Sequence, residues 1–103
     1  MRIDPNSGIY FPNAFSPNGD KNNDFFTIYG TPRVRKIKQL SVYSRWGNKV
    51  FETANINAGA EELGWDGTSQ GIALPPDVFI FWAEIEYING LTTIVKGDIT
   101  LMR

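Results

Sequence analysis

Apolar stretches rich in Val, Ile, Phe, Tyr and Trp alternate along this chain with clusters of Gly, Pro, Asn and Asp. The clusters recur roughly every 8–15 residues, a spacing typical of short strands joined by tight turns. This pattern predicts an all-β fold, either a sandwich or a barrel. The predicted strands are 9–11, 25–29, 36–44, 49–53, 78–87 and 91–101, with a short additional candidate at 72–74.

The alternation within one central stretch predicts which way its side chains point. Leu40, Val42 and Trp46 fall on one face by the two-residue period of a strand, whereas Ser41 and Arg45 fall on the other. A strand with one apolar and one polar face is therefore predicted.

Two further segments complete the outline. Residues 78–82 are apolar at every position, which predicts a central strand of the core, with Glu84 and Glu86 emerging toward solvent beyond it. The stretch 57–63 has room for no more than a single helical turn, closed by Gly64.

Hydrophobic matching predicts the register of the last two strands, which Asn89 and Gly90 mark as a hairpin. A two-residue loop would place Phe81 opposite Asp98 and bury a charge. A three-residue loop, 88–90, with Gly90 in the left-handed conformation of a bulge, shifts the pairing by one residue. The expected pairs are then Ala83 with Val95, Phe81 with Gly97, and Phe79 with Ile99.

The length of 103 residues predicts one domain, with residues 1–8 as linker or vector-derived sequence and residues 9–103 as the folded unit. Ten basic and eleven acidic side chains leave a net charge of −1. No global field therefore attracts nucleic acid or an anionic membrane, and no nucleic-acid partner is expected. The longest uncharged apolar run, 78–83, is far shorter than the roughly 20 residues of a membrane helix, which predicts a soluble domain.

The side chains available for catalysis are few. The chain has no Cys and no His, so it lacks a thiolate zinc site and the usual general base of nucleophilic triads. Glu61 with Glu62 and Glu84 with Glu86 are carboxylate pairs of the kind used in glycoside hydrolysis. Pairs of acids are common on protein surfaces, so we predict that the protein is not an enzyme.

Asn18, Asp20, Asn22 and Asp24 alternate with other residues as in the first part of a calcium loop. Only two of the four are charged, and no bidentate Glu follows at the EF-hand distance. The favoured interpretation is a tight turn at 17–20 in which the Asx side chains bond nearby backbone amides. Calcium is retained as the alternative, and no other cofactor is expected.

Two aromatic turns are candidate recognition sites. Trp65, Asp66 and Gly67 form the first, which is read either as a sugar-binding platform or, preferably, as a Trp that plugs the open end of a sandwich beside a turn closed by Asp66.

Arg45, Trp46 and Gly47 form the second turn and allow the same two interpretations, with packing again favoured for the Trp. Arg45 is available to pair with a carboxylate or to contact a partner. The basic segment that contains Arg33, Arg35, Lys36 and Lys38 has few interleaved aromatic residues, which is more typical of a solvated face than of a nucleic-acid site.

Four segments, taken in order, resemble a known family. They are "FPNAFSPNGDKNNDFF", "LSVYSRWGNKVFET", "GWDGTSQGIALPPDVFIFWAEIEY" and "KGDITLMR". Together they resemble the gliding motility-associated C-terminal domain, the type B carboxy-terminal signal of the type IX secretion system of Bacteroidota. Asn-Gly-Asp and Trp-Asp-Gly are common separately, so the resemblance depends on all four segments across about residues 9–103.

The resemblance implies an Ig-like antiparallel β-sandwich of about seven strands that acts as a folded, non-catalytic sorting signal. Such a domain is carried behind an N-terminal passenger, folds in the periplasm, and is recognised by the outer-membrane translocon and associated proteins. The passenger would reach the cell surface or the exterior, and the isolated domain would be a monomer. Arg45, the basic segment 33–38 and the C-terminal strand, with Arg103 in its "TLxR"-like ending, are then the favoured candidates for recognition.

The chain departs from the family pattern at two positions. Lys21 stands where Gly usually follows Asn-Gly-Asp, and Asp77 stands where Gly is favoured before the aromatic strand. The ammonium group of Lys21 would oppose a bound cation, which weakens the calcium alternative.

Overall fold

The computed structural model describes residues 2–4, 8–17, 25–60 and 63–102. Ten strands form within these residues. They are β1 (Arg2–Asp4), β2 (Ile9–Phe11), β3 (Ala14–Phe15), β4 (Tyr29–Gly30), β5 (Val34–Ser44), β6 (Lys49–Ile56), β7 (Thr68–Ser69), β8 (Ile72–Ala73), β9 (Asp77–Tyr87) and β10 (Thr92–Leu101). In this part of the chain there is no helix long and apolar enough to cross a bilayer.

The strands form sheets that pack as a roughly Ig-like sandwich, which confirms the predicted fold class. The largest sheet has the order β3-β10-β9-β5-β6, a second has the order β1-β2-β4, and β7 pairs with β8. Strand β9 lies at the centre of the largest sheet, between β10 and β5, as its apolar sequence predicted. The short β3 runs parallel to β10 and covers that edge, leaving β6 at the other edge.

The hairpin between β9 and β10 has the predicted register. Ala83 pairs with Val95, Phe81 with Gly97, and Phe79 with Ile99. The loop contains three residues, because Tyr87 N donates to Leu91 O at 2.9 Å, and Gly90 has a φ of 86°. Matching of apolar side chains across the two strands therefore selected the correct turn.

Aromatic rings form the centre of the core. The Phe81 ring packs T-shaped on Phe11 at 4.8 Å between centroids and tilted on Phe26 at 5.1 Å. Trp65 packs edge-on against Phe79 at 4.9 Å. All five side chains are buried. Burial of each large apolar side chain contributes about 1.5–3 kcal/mol, so these rings are a main source of the stability of the sandwich.

Two local predictions differ from the structure. The predicted strand 25–29 is wrong over most of its length, since Phe26 forms only an isolated bridge to Trp65 and the ladder starts at Tyr29. Phe26 and Ile28 are instead held by packing in the core. The single helical turn predicted at 57–63 agrees with the described residues of that stretch, where Ala60 N donates to Asn57 O at 3.2 Å and Leu63 N donates to Ala60 O at 3.1 Å.

The second difference concerns the outer face of β5. Ser41, predicted to face solvent, is fully buried. It lies opposite Trp82 and Glu52 on the outer face of the sheet, where Gln39 Nε2 also donates to its hydroxyl at 3.4 Å. The long side chains of its neighbours thus shield it, so its predicted face is correct and only its exposure differs.

The segment before residue 9 also contributes to a sheet. Residues 1–8 were expected to be linker or vector-derived, and β1 within them pairs antiparallel with β2, with Asp4 opposite Ile9.

Candidate recognition surface

The turn between β5 and β6, Arg45–Asn48, is held by four hydrogen bonds that involve Ser44 and is called the Trp46 turn below. Ser44 N donates to Asn48 O at 2.8 Å, and Gly47 N donates to Ser44 O at 2.9 Å. The Ser44 hydroxyl accepts from the backbone N–H groups of Trp46 and Asn48, both at 3.2 Å. Gly47 has a φ of 91°, a conformation that a glycine adopts without strain. The turn is therefore fixed in shape.

The Trp46 turn presents an indole ring to solvent. Trp46 is 77% exposed, so the prediction that its ring packs into the fold is wrong. The Arg45 guanidinium lies over the ring at 5.2 Å from its centroid, within the range of a cation–π contact. Arg45 Nε also lies 3.6 Å from Asp77 Oδ2 at the start of β9. Arg45 is thus positioned by two groups while its side chain stays 59% exposed.

Next to the Trp46 turn, the outer face of the largest sheet carries an apolar band that sequence reasoning missed. Its members are Tyr43, Val78, Ile80 and Trp82, which we call the outer apolar band. Tyr43 lies directly opposite Ile80, and Trp82 Nε1 donates to the Tyr43 hydroxyl at 3.3 Å. Val78 and Ile80 are 41% and 47% exposed. The continuous apolar sequence of 78–82 therefore reflects one buried face and one apolar surface.

Charged side chains at the edge of this face are paired. Lys49 Nζ donates to Glu52 Oε2 at 3.1 Å, and Gln39 Nε2 donates to the same oxygen. The hydrogen bond to Glu52, together with its negative charge, raises the pKa of Lys49. Because Lys49 is exposed, this pair contributes little to stability, but it keeps charge beside the apolar surface balanced.

The other aromatic turn faces inward. Trp65 is fully buried, and its Nε1 donates to Thr68 O at 2.9 Å. Asp66 Oδ1 accepts from Thr68 N at 3.1 Å and from the Thr68 hydroxyl at 2.7 Å, closing the turn. Gly67 has a φ of 83°. The ring offers no surface to a partner in the folded domain, as the packing interpretation predicted, so a recognition role for this turn would fall to the exposed Asp66.

Three carboxylates in the described part of the chain, those of Glu52, Asp77 and Glu86, lie in ion pairs with basic side chains. Glu86 lies 3.6 Å from Arg35 and 3.8 Å from Lys36. No group of three or more Asp or Glu side chains in the described residues could hold a metal ion.

Several predicted site residues lie outside the described residues. They are the calcium candidates Asn18, Asp20, Asn22 and Asp24, the terminal Arg103, and the pair Glu61 and Glu62.

Comparison with known proteins places this arrangement in a family. No curated protein matches the chain. The model of the CHU_C Type IX secretion signal domain matches residues 9–101, from β2 to the last residue of β10. The matched region contains the Trp46 turn, the outer apolar band and the buried Trp65, and it covers most of the chain. The chain therefore belongs to the type IX secretion signal domain family, whose role is to mark proteins for export toward the cell surface or exterior.

Proposed function

We propose that this domain directs a larger N-terminal passenger through the type IX secretion system by protein–protein recognition. In this proposal the passenger carries any activity, passes through the periplasm with the folded domain, and is delivered to the surface or exterior. The folded domain presents a surface that outer-membrane components of the system bind. Family membership over residues 9–101 supports the sorting role.

The recognition surface that we propose is the Trp46 turn together with the outer apolar band. The exposed indole of Trp46 is the observation that carries this proposal. Trp, Tyr and Arg are the residue types most enriched among those that dominate binding energy at protein interfaces. A ring held by a hydrogen-bonded turn loses little conformational freedom on binding, so more of its contact energy appears as affinity.

The test uses a secreted reporter fused in front of residues 1–103, which keeps β1 paired with β2. Trp46→Ser should lower the exported fraction about thirtyfold, since loss of a dominant interface residue costs about 2 kcal/mol. The melting temperature should stay close to that of wild type because the ring is exposed. Ile72→Ser is the matched control, since Ile72 is 70% exposed on a different hairpin.

Two results would contradict the proposed surface. One is wild-type export of the Trp46→Ser fusion. The other is an equal loss of export from Ile72→Ser. That result would show that loss of any exposed apolar side chain impairs export, with no special role for the Trp46 turn.

Carbohydrate binding is a second candidate function, favoured by the same exposed ring. Aromatic side chains stack on the apolar faces of sugars, and Trp46 has an accessible ring, although Arg45 lies over it. Titration of the purified chain with bacterial polysaccharides should then shift tryptophan emission in wild type and leave Trp46→Phe unaffected. Unchanged emission in both proteins would remove this candidate.

A further inference from the structure

A cleft of about 500 Å³ opens beside the hairpin between β9 and β10, at the other end of β5 from the Trp46 turn. Arg33, Tyr87, Ile88, Leu91, Thr92 and Thr93 line it. Its volume falls within the range of pockets that enclose small ligands or side chains of a bound peptide. With β5 spanning 11 residues, the cleft and the Trp46 turn are separated by roughly 30 Å, so they are distinct surfaces.

Arg33 is held in the wall of this cleft. Its guanidinium lies 5.9 Å from the centroid of the Tyr87 ring. On its other side, a Cβ added to Gly8 would lie 3.0 Å from Arg33 Nη2, so the absence of a side chain at Gly8 makes room for the guanidinium. Arg33 O accepts from Ile88 N at 2.9 Å, which ties the hairpin to the base of the cleft. The Tyr87 ring and the space at Gly8 thus favour this position of the guanidinium, and Arg33 remains exposed to an incoming ligand.

The charges around the cleft favour an anionic ligand. Arg33, Arg35 and Lys36 lie at this end of the sheet, and Glu86 is the carboxylate that pairs with the last two. Arg35 and Lys36 are thus engaged with Glu86, whereas the Arg33 guanidinium contacts the Tyr87 ring. A guanidinium binds a carboxylate through two parallel hydrogen bonds, which makes this group a suitable ligand.

The rest of the cleft favours an apolar neighbour next to that carboxylate. Ile88 and Leu91 are 68% and 66% exposed on either side of the hairpin tip. Thr92 and Thr93 add hydroxyl groups along the wall that leads from the tip into β10. Exposed aliphatic side chains beside a fixed cation match a peptide in which Asp or Glu stands next to Leu or a similar residue.

We propose that this cleft binds an acidic peptide segment of another protein, with a carboxylate on Arg33 and an adjacent aliphatic side chain between Ile88 and Leu91. The site is independent of the surface proposed for sorting. It gives the domain a second contact point, able to hold a segment of a partner while the Trp46 turn is occupied.

Nuclear magnetic resonance titration of the ¹⁵N-labelled chain tests this proposal. The probe is an acetylated, amidated pentapeptide of sequence Gly-Leu-Glu-Leu-Gly, and the control peptide replaces Glu with Gln. Amide shifts should concentrate in residues 33 and 87–93. Arg33→Gln should weaken binding about tenfold, the value expected for loss of a hydrogen bond to a charged group. Leu91→Ser should weaken it about fivefold through lost apolar contact.

Arg35→Gln is the matched control, because it removes an exposed cation from the same end of the sheet while leaving the cleft intact. It should change affinity less than twofold. If Arg33→Gln lowers the melting temperature, Arg33→Lys supplies a second variant that keeps the charge but lacks the two-pronged geometry, and it should also bind more weakly than wild type.

Four outcomes would overturn the proposal. They are equal affinity for the Gln peptide, equal weakening by Arg35→Gln, shifts outside the cleft, and reproduction of the full set of shifts by sodium acetate alone. The last would show a simple anion site without peptide recognition. None of these outcomes bears on export of a fused reporter, so the sorting proposal is tested separately.

Discussion

Gly97 provides a sharp test of the packing at the centre of the fold. It lies directly opposite Phe81 in the β9–β10 ladder. A Cβ at this position would meet Phe81 Cε1 at 2.7 Å and Phe11 Cζ at 3.1 Å. Ordinary contact begins at 3.4 Å, so Gly97→Ala requires a displacement of about 0.7 Å at the closest atom.

The Phe81 ring has little freedom to make that displacement. It is fully buried, with Phe11 at 4.8 Å and Phe26 at 5.1 Å between centroids. We therefore take the upper end of the overpacking range, about 3 kcal/mol. Replacing Gly by Ala in a strand returns about 0.5–1 kcal/mol, because the unfolded chain loses freedom. The expected net loss is about 2 kcal/mol, equivalent to a melting temperature lower by roughly 10 °C for a domain of this size.

Urea denaturation, followed by circular dichroism, measures this loss as a lower midpoint with an unchanged slope. A double-mutant cycle with Phe81→Leu identifies the cause, since removing the ring atoms should reduce the cost of Gly97→Ala to less than about 0.5 kcal/mol. If Gly97→Ala alone stays within about 0.5 kcal/mol of wild type, or if its cost persists beside Leu, the close packing of Gly97 on Phe81 is refuted.

Four further changes test other parts of the structure. The Thr27 hydroxyl is buried without a hydrogen-bond partner in the described residues, so Thr27→Val should raise the free energy of unfolding by about 1 kcal/mol in urea titrations, and a loss would indicate a hidden partner. Acrylamide should quench the fluorescence of Trp46 far more than that of the buried Trp65, so Trp46→Phe should remove most of the quenchable emission. If that emission persists in Trp46→Phe, a Trp other than Trp46 is the exposed one. Gly47→Ala should cost about 1 kcal/mol by thermal melting, because the added Cβ meets no atom within 4 Å and only the backbone at φ 91° is strained; a neutral result would mean that the turn adapts. A chelator should leave the melting temperature unchanged if residues 18–24 form only a turn, whereas a rise on adding calcium would support an ion site there.

The register of the β9–β10 hairpin could be predicted from the sequence because two independent signals agreed on it. Asn89 and Gly90 located the turn, and the need to keep Asp98 away from the buried Phe81 selected the bulged pairing. The observed ladder pairs Phe81 with Gly97 and places Asp98 opposite Ile80 on the outer face. Patterning decides register when one face of a strand is buried, since a slip of one residue moves every side chain to the wrong face.

The candidate surface was only partly predictable because it depends on where β5 ends. The period-two pattern placed Trp46 with Leu40 and Val42, but the strand stops at Ser44 and the ring lies beyond it in the turn. Arg45 was identified from its residue type, whereas its contacts with Trp46 and Asp77 required the fold.

The outer apolar band could not be separated from the core by sequence. An apolar run such as 78–82 is consistent both with burial on two faces and with burial on one face plus an exposed apolar surface. The structure shows the second case, in which Phe79 and Phe81 face the core and Val78 and Ile80 are exposed. Because contiguous exposed apolar patches often mark interaction sites, this band supports the recognition surface that we propose.

The most direct test of the sorting role is the location of a folded reporter fused in front of residues 1–103. The fusion is expressed in a host with an intact type IX secretion system and in a matched strain that lacks the translocon, and the reporter is assayed in periplasmic, surface and medium fractions. The domain should send the reporter to the surface or medium in the intact host and leave it in the periplasm of the translocon mutant. Retention of the reporter in the periplasm of the intact host, with the fused domain folded and the machinery active on its own substrates, would contradict the sorting role.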